Sequence, residues 1–116
     1  MAKFYSGTSK YHAKKTFVDG IKFDSKREAA RYLELKALEK AGIIKNLERQ
    51  IPYVLLEGVP GPEGKKLRPM KYIADFRYED SSGNIITEDS KGFLTKEYKI
   101  KKRLMWQLLG INVIEV

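Results

Sequence analysis

The spacing of apolar and polar residues divides the chain into two helices and several short strands. Two segments carry apolar residues at helical intervals, and each has a capping residue before it and a glycine after it. The other apolar segments alternate with polar residues or are rich in β-branched residues, which is typical of strands. In chain order the pattern predicts a hairpin over about Lys15–Phe23, a helix over Lys26–Ala41, strands over Arg49–Leu56, Met70–Tyr78 and Ile85–Lys91, a helix over Lys96–Leu109 and a short strand within 111–116.

Residues that favour turns and helix ends support these boundaries. Asp19 and Gly20 form a favoured type I′ turn pair, because both central residues of that turn need positive φ. Ser25 is placed to cap the first helix, with Glu28 completing a capping-box pattern, and Thr95 is placed to cap the second. The order of elements predicts an α/β (α+β) fold with one sheet and helices packed on it.

The same periodicity predicts which residues are buried. Alternation places four residues of one strand on a single face, namely Tyr72, Ala74, Phe76 and Tyr78. Tyr98 and Trp106 of the second helix are expected in the core. Pro52 suggests that its strand lies at an edge of the sheet or contains a bulge, because proline cannot donate a ladder hydrogen bond.

Length and charge narrow the class of protein. A chain of 116 residues suits one domain, and we expect a polar, basic arm over residues 1–13 followed by a single domain over 14–116. The chain has 23 Lys and Arg against 15 Asp and Glu, a net charge of +8, which favours a polyanionic partner such as nucleic acid. It has no cysteine, which excludes disulfides and cysteine-ligated zinc, and its single histidine, His12, excludes a histidine-rich metal site.

No membrane or secretory signal is evident in the sequence. No apolar run approaches the roughly twenty residues that cross a bilayer. The first residues carry charge without the apolar segment of a secretory signal. We therefore expect a soluble, intracellular protein without a membrane partner.

The candidate chemistry lies in the predicted hairpin that carries Asp75, Asp89 and Lys91. Residues 75 and 89 are symmetric about position 82, inside the predicted turn, so the two carboxylates are expected to lie opposite each other, about 4.5–5.5 Å apart at Cβ. A divalent cation such as Mg²⁺ removes the repulsion between them, and Lys91 points to the same face. A metal beside an ammonium is suited to phosphodiester hydrolysis. The alternative is an exposed carboxylate pair with Lys91 as its salt-bridge partner.

The hairpin and the elements around it resemble a known superfamily. YIADFRY, ITEDSKG, the basic helix and the final strand resemble the core of the PD-(D/E)XK nucleases, whose restriction-endonuclease-like fold has αβββαβ order with a mixed sheet flanked by helices. The proline that usually precedes the first acid is replaced by Ala74. Over most of the chain, KKTFVDGIKFDSKREAARY and GIIKNLERQIPYVL resemble a family of small phage and prophage proteins, grouped as a domain of unknown function and sometimes described as Holliday-junction resolvases or recombination endonucleases.

The resemblance implies a set of catalytic and metal-binding residues. Asp75 and Asp89 match the two acids of the superfamily, Lys91 matches its lysine, and the Ser90 carbonyl matches its usual backbone metal ligand. Glu28 matches the glutamate on the first helix that completes the metal site in many members. The implied cofactor is Mg²⁺, with Mn²⁺ able to substitute.

For three polar residues the sequence allows two interpretations each. Glu28 is either a metal ligand or only part of the capping box with Ser25. Gln50 either forms a hydrogen bond near the site or is an ordinary polar residue on a half-exposed strand. Glu88 is expected to point away from Asp89 and replaces it only if the strand register shifts by one residue.

Basic residues offer contacts to the phosphates of DNA. The second helix carries a basic stripe close to Lys91 in sequence, and the arm and the Gly/Pro-rich loop carry further lysines; a solvated helix face is the alternative interpretation. The candidates for DNA binding are Lys96, Lys99, Lys102 and Arg103 on the helix and Lys10, Lys14 and Lys15 in the arm.

Together these features predict a Mg²⁺-dependent DNA endonuclease. The resemblance implies branched DNA as substrate, a role in phage recombination or replication in the cytoplasm of a bacterial host, and a homodimer, because paired cuts need two sites. The alternatives are a site-specific or nicking endonuclease of the same fold and a nucleic-acid-binding module without catalysis.

Overall fold

A computed structural model describes residues 16–116, and its elements follow the predicted order, with one additional hairpin inside the predicted Gly/Pro-rich loop. The helices are α1 (Lys26–Lys40) and α2 (Lys96–Leu109). The strands are β1 (Thr16–Val18), β2 (Ile21–Phe23), β3 (Lys45–Leu56), β4 (Val59–Pro60), β5 (Lys66–Leu67), β6 (Met70–Glu79), β7 (Ile85–Asp89) and β8 (Val113–Glu115). The predicted arm, which includes Lys10 and His12, lies outside the described residues. Lys14 and Lys15 also lie outside them.

Four strands form one mixed sheet in the order β3-β6-β7-β8. The β3–β6 and β6–β7 pairs are antiparallel, and the β7–β8 pair is parallel. Strands β1 and β2 form a separate hairpin, and β4 and β5 form a second one. The fold class is therefore confirmed: α+β, with a mixed sheet flanked by two helices and an N-terminal hairpin. Pro52 lies in edge strand β3, as predicted.

Most boundary signals act as the sequence predicts. Asp19 and Gly20 both have positive φ, 51° and 76°. Ser25 accepts a hydrogen bond from the backbone N–H of Glu28 at 3.1 Å and caps α1. Two strand limits differ by more than one residue: β3 begins at Lys45 and β7 ends at Asp89. Lys91 therefore lies in the loop before α2.

The two helices cover opposite faces of the sheet, and strand β6 contributes to both cores. Its residues Phe76 and Tyr78 pack with Tyr32 and Leu35 of α1. Its residues Tyr72 and Ala74 pack instead with α2, in a cluster with Tyr98 and Met105. The prediction that the four β6 residues share one face is therefore wrong.

A residue of β3 with left-handed backbone lies opposite Asp75, the position at which β6 changes faces. Gln50 lies opposite Asp75, between the ladder pairs Arg49–Phe76 and Ile51–Ala74, and has a left-handed φ of 54°. Beyond this point the alternation restarts on the other face. Tyr53, the ladder partner of Tyr72, reaches Arg77 and Thr87, whose side chains lie on the face opposite Phe76.

Helix α2 is less buried than its sequence predicts. Tyr98 and Met105 are buried, but Trp106 is 63% exposed, so the expectation that this tryptophan belongs to the core is wrong. Over residues 16–116, neither helix has the length and apolar character needed to cross a membrane.

Candidate functional site

Asp75 and Asp89 are neighbours at the centre of the sheet. The β6–β7 ladder runs from Glu79–Ile85 to Phe76–Glu88, and the next pair in this register is Asp75 and Asp89. The backbone N–H of Ser90 donates to Asp75 Oδ2 at 2.8 Å, which fixes the first carboxylate against the end of β7. This is the register that the symmetry about position 82 predicts.

The electrostatics of the pair favour a shared proton or a cation. The pKa of Asp75 is raised to about 7, first by burial and then by the adjacent Asp89, which accepts a hydrogen bond from the protonated form and repels the ionised one. The Ser90 N–H and the Lys91 ammonium act in the opposite direction. At neutral pH Asp75 is therefore close to its midpoint, and a bound cation would compete with the proton.

Asp89 is the most enclosed acid of the site, at 1% exposure. Its Oδ2 accepts a hydrogen bond from the Tyr72 hydroxyl and lies 3.5 Å from Lys91 Nζ. Its Oδ1 is buried and has no hydrogen-bond donor among the described residues when both carboxylates are ionised. A buried carboxylate oxygen without a donor is costly, and a cation at this position would satisfy it.

Glu28 extends the acidic cluster from α1. It is 5% exposed, and its Oε2 accepts from Gln50 Nε2 at 3.1 Å and lies 3.6 Å from Arg49 Nη2. Burial, followed by repulsion from Asp75, raises its pKa above the usual range. The side chain is thus directed toward Gln50 and Arg49, while the α1 cap is provided by the Ser25 hydroxyl.

Gln50 connects Glu28 with Asp75 and adopts an unusual backbone conformation. Its Nε2 lies 3.1 Å from Glu28 Oε2 and 3.4 Å from Asp75 Oδ1, so one amide group contacts both carboxylates. A left-handed φ at a residue other than glycine costs about 1–2 kcal/mol, and such conformations cluster at functional sites. Of the two interpretations of Gln50, the contact with the site is the one that the geometry supports.

Lys91 lies at the entrance to the carboxylate pair. Its ammonium is 4.7 Å from the centre of the Tyr98 ring, and its side chain is 30% exposed. The aromatic face and the Asp89 carboxylate hold the ammonium between the acids and the solvent. A phosphate approaching the pair would meet this charge.

Glu88 points to the face opposite Asp89, as expected. It is 1% exposed and forms a paired interaction with Arg31, at 2.8 and 2.7 Å, and it accepts from the Tyr78 hydroxyl. Arg31 lies on α1, and Tyr78 belongs to the core cluster that α1 covers. Glu88 is therefore a structural ion-pair partner in the α1 core.

Three of the four predicted DNA-binding residues of α2 border one cavity, and two of these three have partners within the protein. Lys99, Lys102 and Arg103 border a cavity of about 410 Å³ between α2 and β8. Lys102 is ion-paired with Glu115 at 2.8 Å, and Arg103 Nε donates to Gln107 at 3.2 Å. The exposed Lys96 lies at the first position of the helix.

The residues present fit a cation bound by two carboxylates. Within residues 16–116 no group of three or more His, Cys, Asp or Glu side chains is arranged to hold a metal ion. Asp75 and Asp89 nevertheless provide adjacent carboxylates, one with a buried oxygen that lacks a donor. Hard oxygen ligands of this kind suit Mg²⁺, which keeps several of its waters and needs only one or two carboxylates from the protein.

Sequence reasoning missed two members of this site. Tyr72 alternates with other apolar positions and looks like an ordinary core residue, yet its hydroxyl binds Asp89. Arg49 looks like one more basic residue, yet its guanidinium stacks over Phe23 at 4.5 Å and lies near Glu28. Neither residue has a signal in its own spacing; only the fold places them beside the acids.

The fold and the site define an α+β protein with a mixed four-stranded sheet, two covering helices and an acidic pair beside a lysine. The model of the family described as "Protein of unknown function (DUF1064)" matches residues 8–110, and the chain belongs to this family. Comparisons with curated proteins and with solved structures gave no match.

Proposed function

We propose that this protein is a metal-dependent endonuclease that hydrolyses phosphodiester bonds in DNA, with Mg²⁺ as its cofactor and Mn²⁺ as a substitute. The observation that carries the proposal is the buried pair of carboxylates, with a raised pKa at Asp75 and an unsatisfied Oδ1 at Asp89. Such a pair is destabilising by itself and becomes favourable when it holds a cation. Lys91 at its entrance and the net charge of +8 agree with an anionic substrate.

Each residue of the site has a distinct task in this proposal. Asp75 and Asp89 hold the cation, together with the backbone carbonyl of Ser90. The Tyr72 hydroxyl orients Asp89, and Gln50 orients Asp75. A cation held by these residues would polarise the phosphate and lower the pKa of a water molecule.

Two charged residues complete the arrangement. The Lys91 ammonium is placed to neutralise the charge that develops on the scissile phosphate. Glu28, bridged to Asp75 through Gln50, adds negative charge near the pair and would strengthen its attraction for a cation.

The experiment is a cleavage assay on a labelled four-way junction and on linear duplex DNA of the same sequence. Each substrate is incubated with the wild-type protein in Mg²⁺ and in EDTA, and with Asp89→Asn in Mg²⁺. The matched control is Asp80→Asn, which makes the same change on the exposed turn of the same hairpin, where the Asp80 carboxylate accepts from Ser82 and Asn84.

The outcomes separate the candidate functions. Cleavage that requires Mg²⁺, is lost in Asp89→Asn and persists in Asp80→Asn supports the proposal. Cleavage of the junction in preference to the duplex supports branched DNA as substrate, and equal cleavage points to a nicking or site-specific enzyme. Tight binding without any cleavage leaves only a nucleic-acid-binding module.

Paired cuts in a branched substrate require a dimer, and we propose a homodimer in the cytoplasm of a bacterial host, encoded by a phage or prophage. Exposed apolar side chains one turn apart on α2 support a self-associating surface: Trp106 is 63% exposed and Leu109 42%. Sedimentation analysis of wild type and Trp106→Glu tests this part. A monomeric wild type would refute it.

A further inference from the structure

A basic pocket opens beside the carboxylate site, between the start of β6 and the first turns of α2. Its volume is about 280 Å³. It shares Tyr72 and Lys91 with the site described above, and it extends to Lys71 on β6 and Lys101 on α2. Because Tyr72 contacts Asp89 and Lys91 lies 3.5 Å from the same carboxylate, the pocket and the acids are contiguous.

Two of the lysines around this pocket are available to a ligand. Within the described chain, the ammonium groups of Lys71 and Lys101 form no ion pair or hydrogen bond, whereas Lys91 is paired with Asp89 and Lys102 with Glu115. The pocket has one acidic residue, Glu97, against three lysines. Its electrostatic character is therefore that of an anion site.

The N-terminal end of α2 strengthens the preference of this pocket for an anion. Thr95, the cap of the 14-residue helix, and Glu97 in its first turn both border the pocket. The Thr95 hydroxyl accepts from the Tyr98 N–H at 3.0 Å, which leaves N–H groups of the first turn for solvent or a ligand. A helix N-terminus beside two unpaired ammonium groups favours a bound phosphate.

We propose that this pocket binds the phosphodiester next to the scissile one, with Lys71 and Lys101 as its ligands. The inference rests on the proposed nuclease function and deepens it by assigning the path of the DNA strand. The strand passes between β6 and α2, with one phosphate at the carboxylate pair and the adjacent phosphate in the pocket. The exposed side chain of Ile73, which also borders the pocket, offers an apolar surface to the sugar.

This path differs from the one that the α2 sequence predicts. Lys99 and Arg103 border the separate cavity toward β8, whereas Lys101 borders the pocket beside the acids. The two sets of residues lie on different flanks of the same helix. They therefore provide matched variants for a test.

The test compares Lys71→Ala/Lys101→Ala with Lys99→Ala/Arg103→Ala. Both double variants remove two positive charges from positions outside the buried core, and thermal melting checks that each remains folded. Affinity for a labelled duplex and a labelled four-way junction is measured in EDTA over a range of salt concentrations. The slope of log K against log salt is expected to become shallower by about one for each lysine that contacts a phosphate. We expect this loss for the pocket variant and a slope near that of wild type for the α2 control.

A neutral phosphate provides a second readout. Single methylphosphonates are placed on either side of the mapped cleavage position, and one of them is expected to weaken binding of the wild type and of the Lys99→Ala/Arg103→Ala control. The same substitution is expected to have no further effect on Lys71→Ala/Lys101→Ala, because the contact is already absent.

The failures of the two proposals are distinguishable. If the wild type cleaves DNA but the pocket variant keeps its salt slope and its methylphosphonate sensitivity, the pocket assignment is overturned and the nuclease remains. Equal losses in both double variants also overturn the pocket, since they indicate a diffuse effect of charge. If the wild type neither binds nor cleaves DNA, the proposed function itself fails.

Discussion

Asp89→Asn is expected to stabilise the metal-free protein at alkaline pH, although it removes a buried ion-pair partner. The substitution keeps the oxygen that accepts from the Tyr72 hydroxyl. It replaces the unsatisfied Oδ1 by an amide that can donate to Asp75. The repulsion between two buried carboxylates disappears, at the expense of the attraction to Lys91.

The magnitude follows from the pKa of Asp75. Ionising Asp75 in the folded protein, where its pKa is about 7 rather than 3.8, costs roughly 4 kcal/mol at about 1.4 kcal/mol per pH unit. Burial is the largest cause and persists in the variant, so we expect about 1–2 kcal/mol to be recovered. The lost pairing with Lys91, which is 30% exposed, offsets less than about 1 kcal/mol.

The sign of the effect depends on pH. In the wild type, Asp75 ionises in the unfolded chain above 3.8 but in the folded protein only near 7, so stability falls between these two values and is constant above them. At pH 8 Asp89→Asn should therefore be more stable than wild type. At pH 5 the wild type has a protonated Asp75 that donates to Asp89, and the advantage of the variant should vanish.

The assay is urea unfolding in EDTA at pH 5 and pH 8, with Asp80→Asn as control. The pKa of Asp80 is lowered by the N–H of Asn84, so this carboxylate is ionised at both pH values and its replacement should have the same effect at both. Added Mg²⁺ should raise the stability of wild type at pH 8 and leave Asp89→Asn unchanged. A variant that is equally destabilised at pH 5 and pH 8 would refute the reasoning.

Three further sets of substitutions test separate parts of the site and of the residues that support it. Gln50→Gly should be more stable than Gln50→Ala by about 1 kcal/mol in urea unfolding, because glycine accepts the left-handed φ of 54°; equal stabilities would argue against strain. Arg31→Ala should cost about 3–5 kcal/mol by leaving buried Glu88 without its cation, and Arg31→Ala/Glu88→Gln should recover part of the loss in the same measurement. Lys91→Ala should lower kcat far more than it raises KM in the cleavage assay, and an unchanged kcat would remove Lys91 from the reaction.

Local features were predictable wherever neighbouring residues in the chain decide the structure. The Asp19-Gly20 turn and the caps of both helices depend on side chains within a few residues of the backbone groups they serve. The register of Asp75 opposite Asp89 was predictable for the same reason, since a short turn around position 82 determines which residues face each other.

Contacts between distant segments were not predictable from spacing. Alternation placed Tyr72 and Phe76 on one face, but β6 presents them to different helices, and the change of face lies opposite the left-handed residue Gln50 of the neighbouring strand. Trp106 and Met105 are both among the apolar residues of α2, yet Met105 is buried whereas Trp106 is exposed. Periodicity indicates which residues lie on the same side of a helix or strand. It carries no information about which other part of the fold packs against that side.

The sequence by itself therefore determined the elements, their order, the opposition of the two aspartates and a basic surface charge. The tertiary structure decided the pKa and the hydrogen-bond partners of those aspartates. Burial raises the pKa of Asp75, Tyr72 occupies one oxygen of Asp89 and leaves the other without a donor, and Gln50 connects the pair to Glu28. These properties depend on desolvation and on side chains brought together from separate strands and a helix, and such distances are created only when the chain packs.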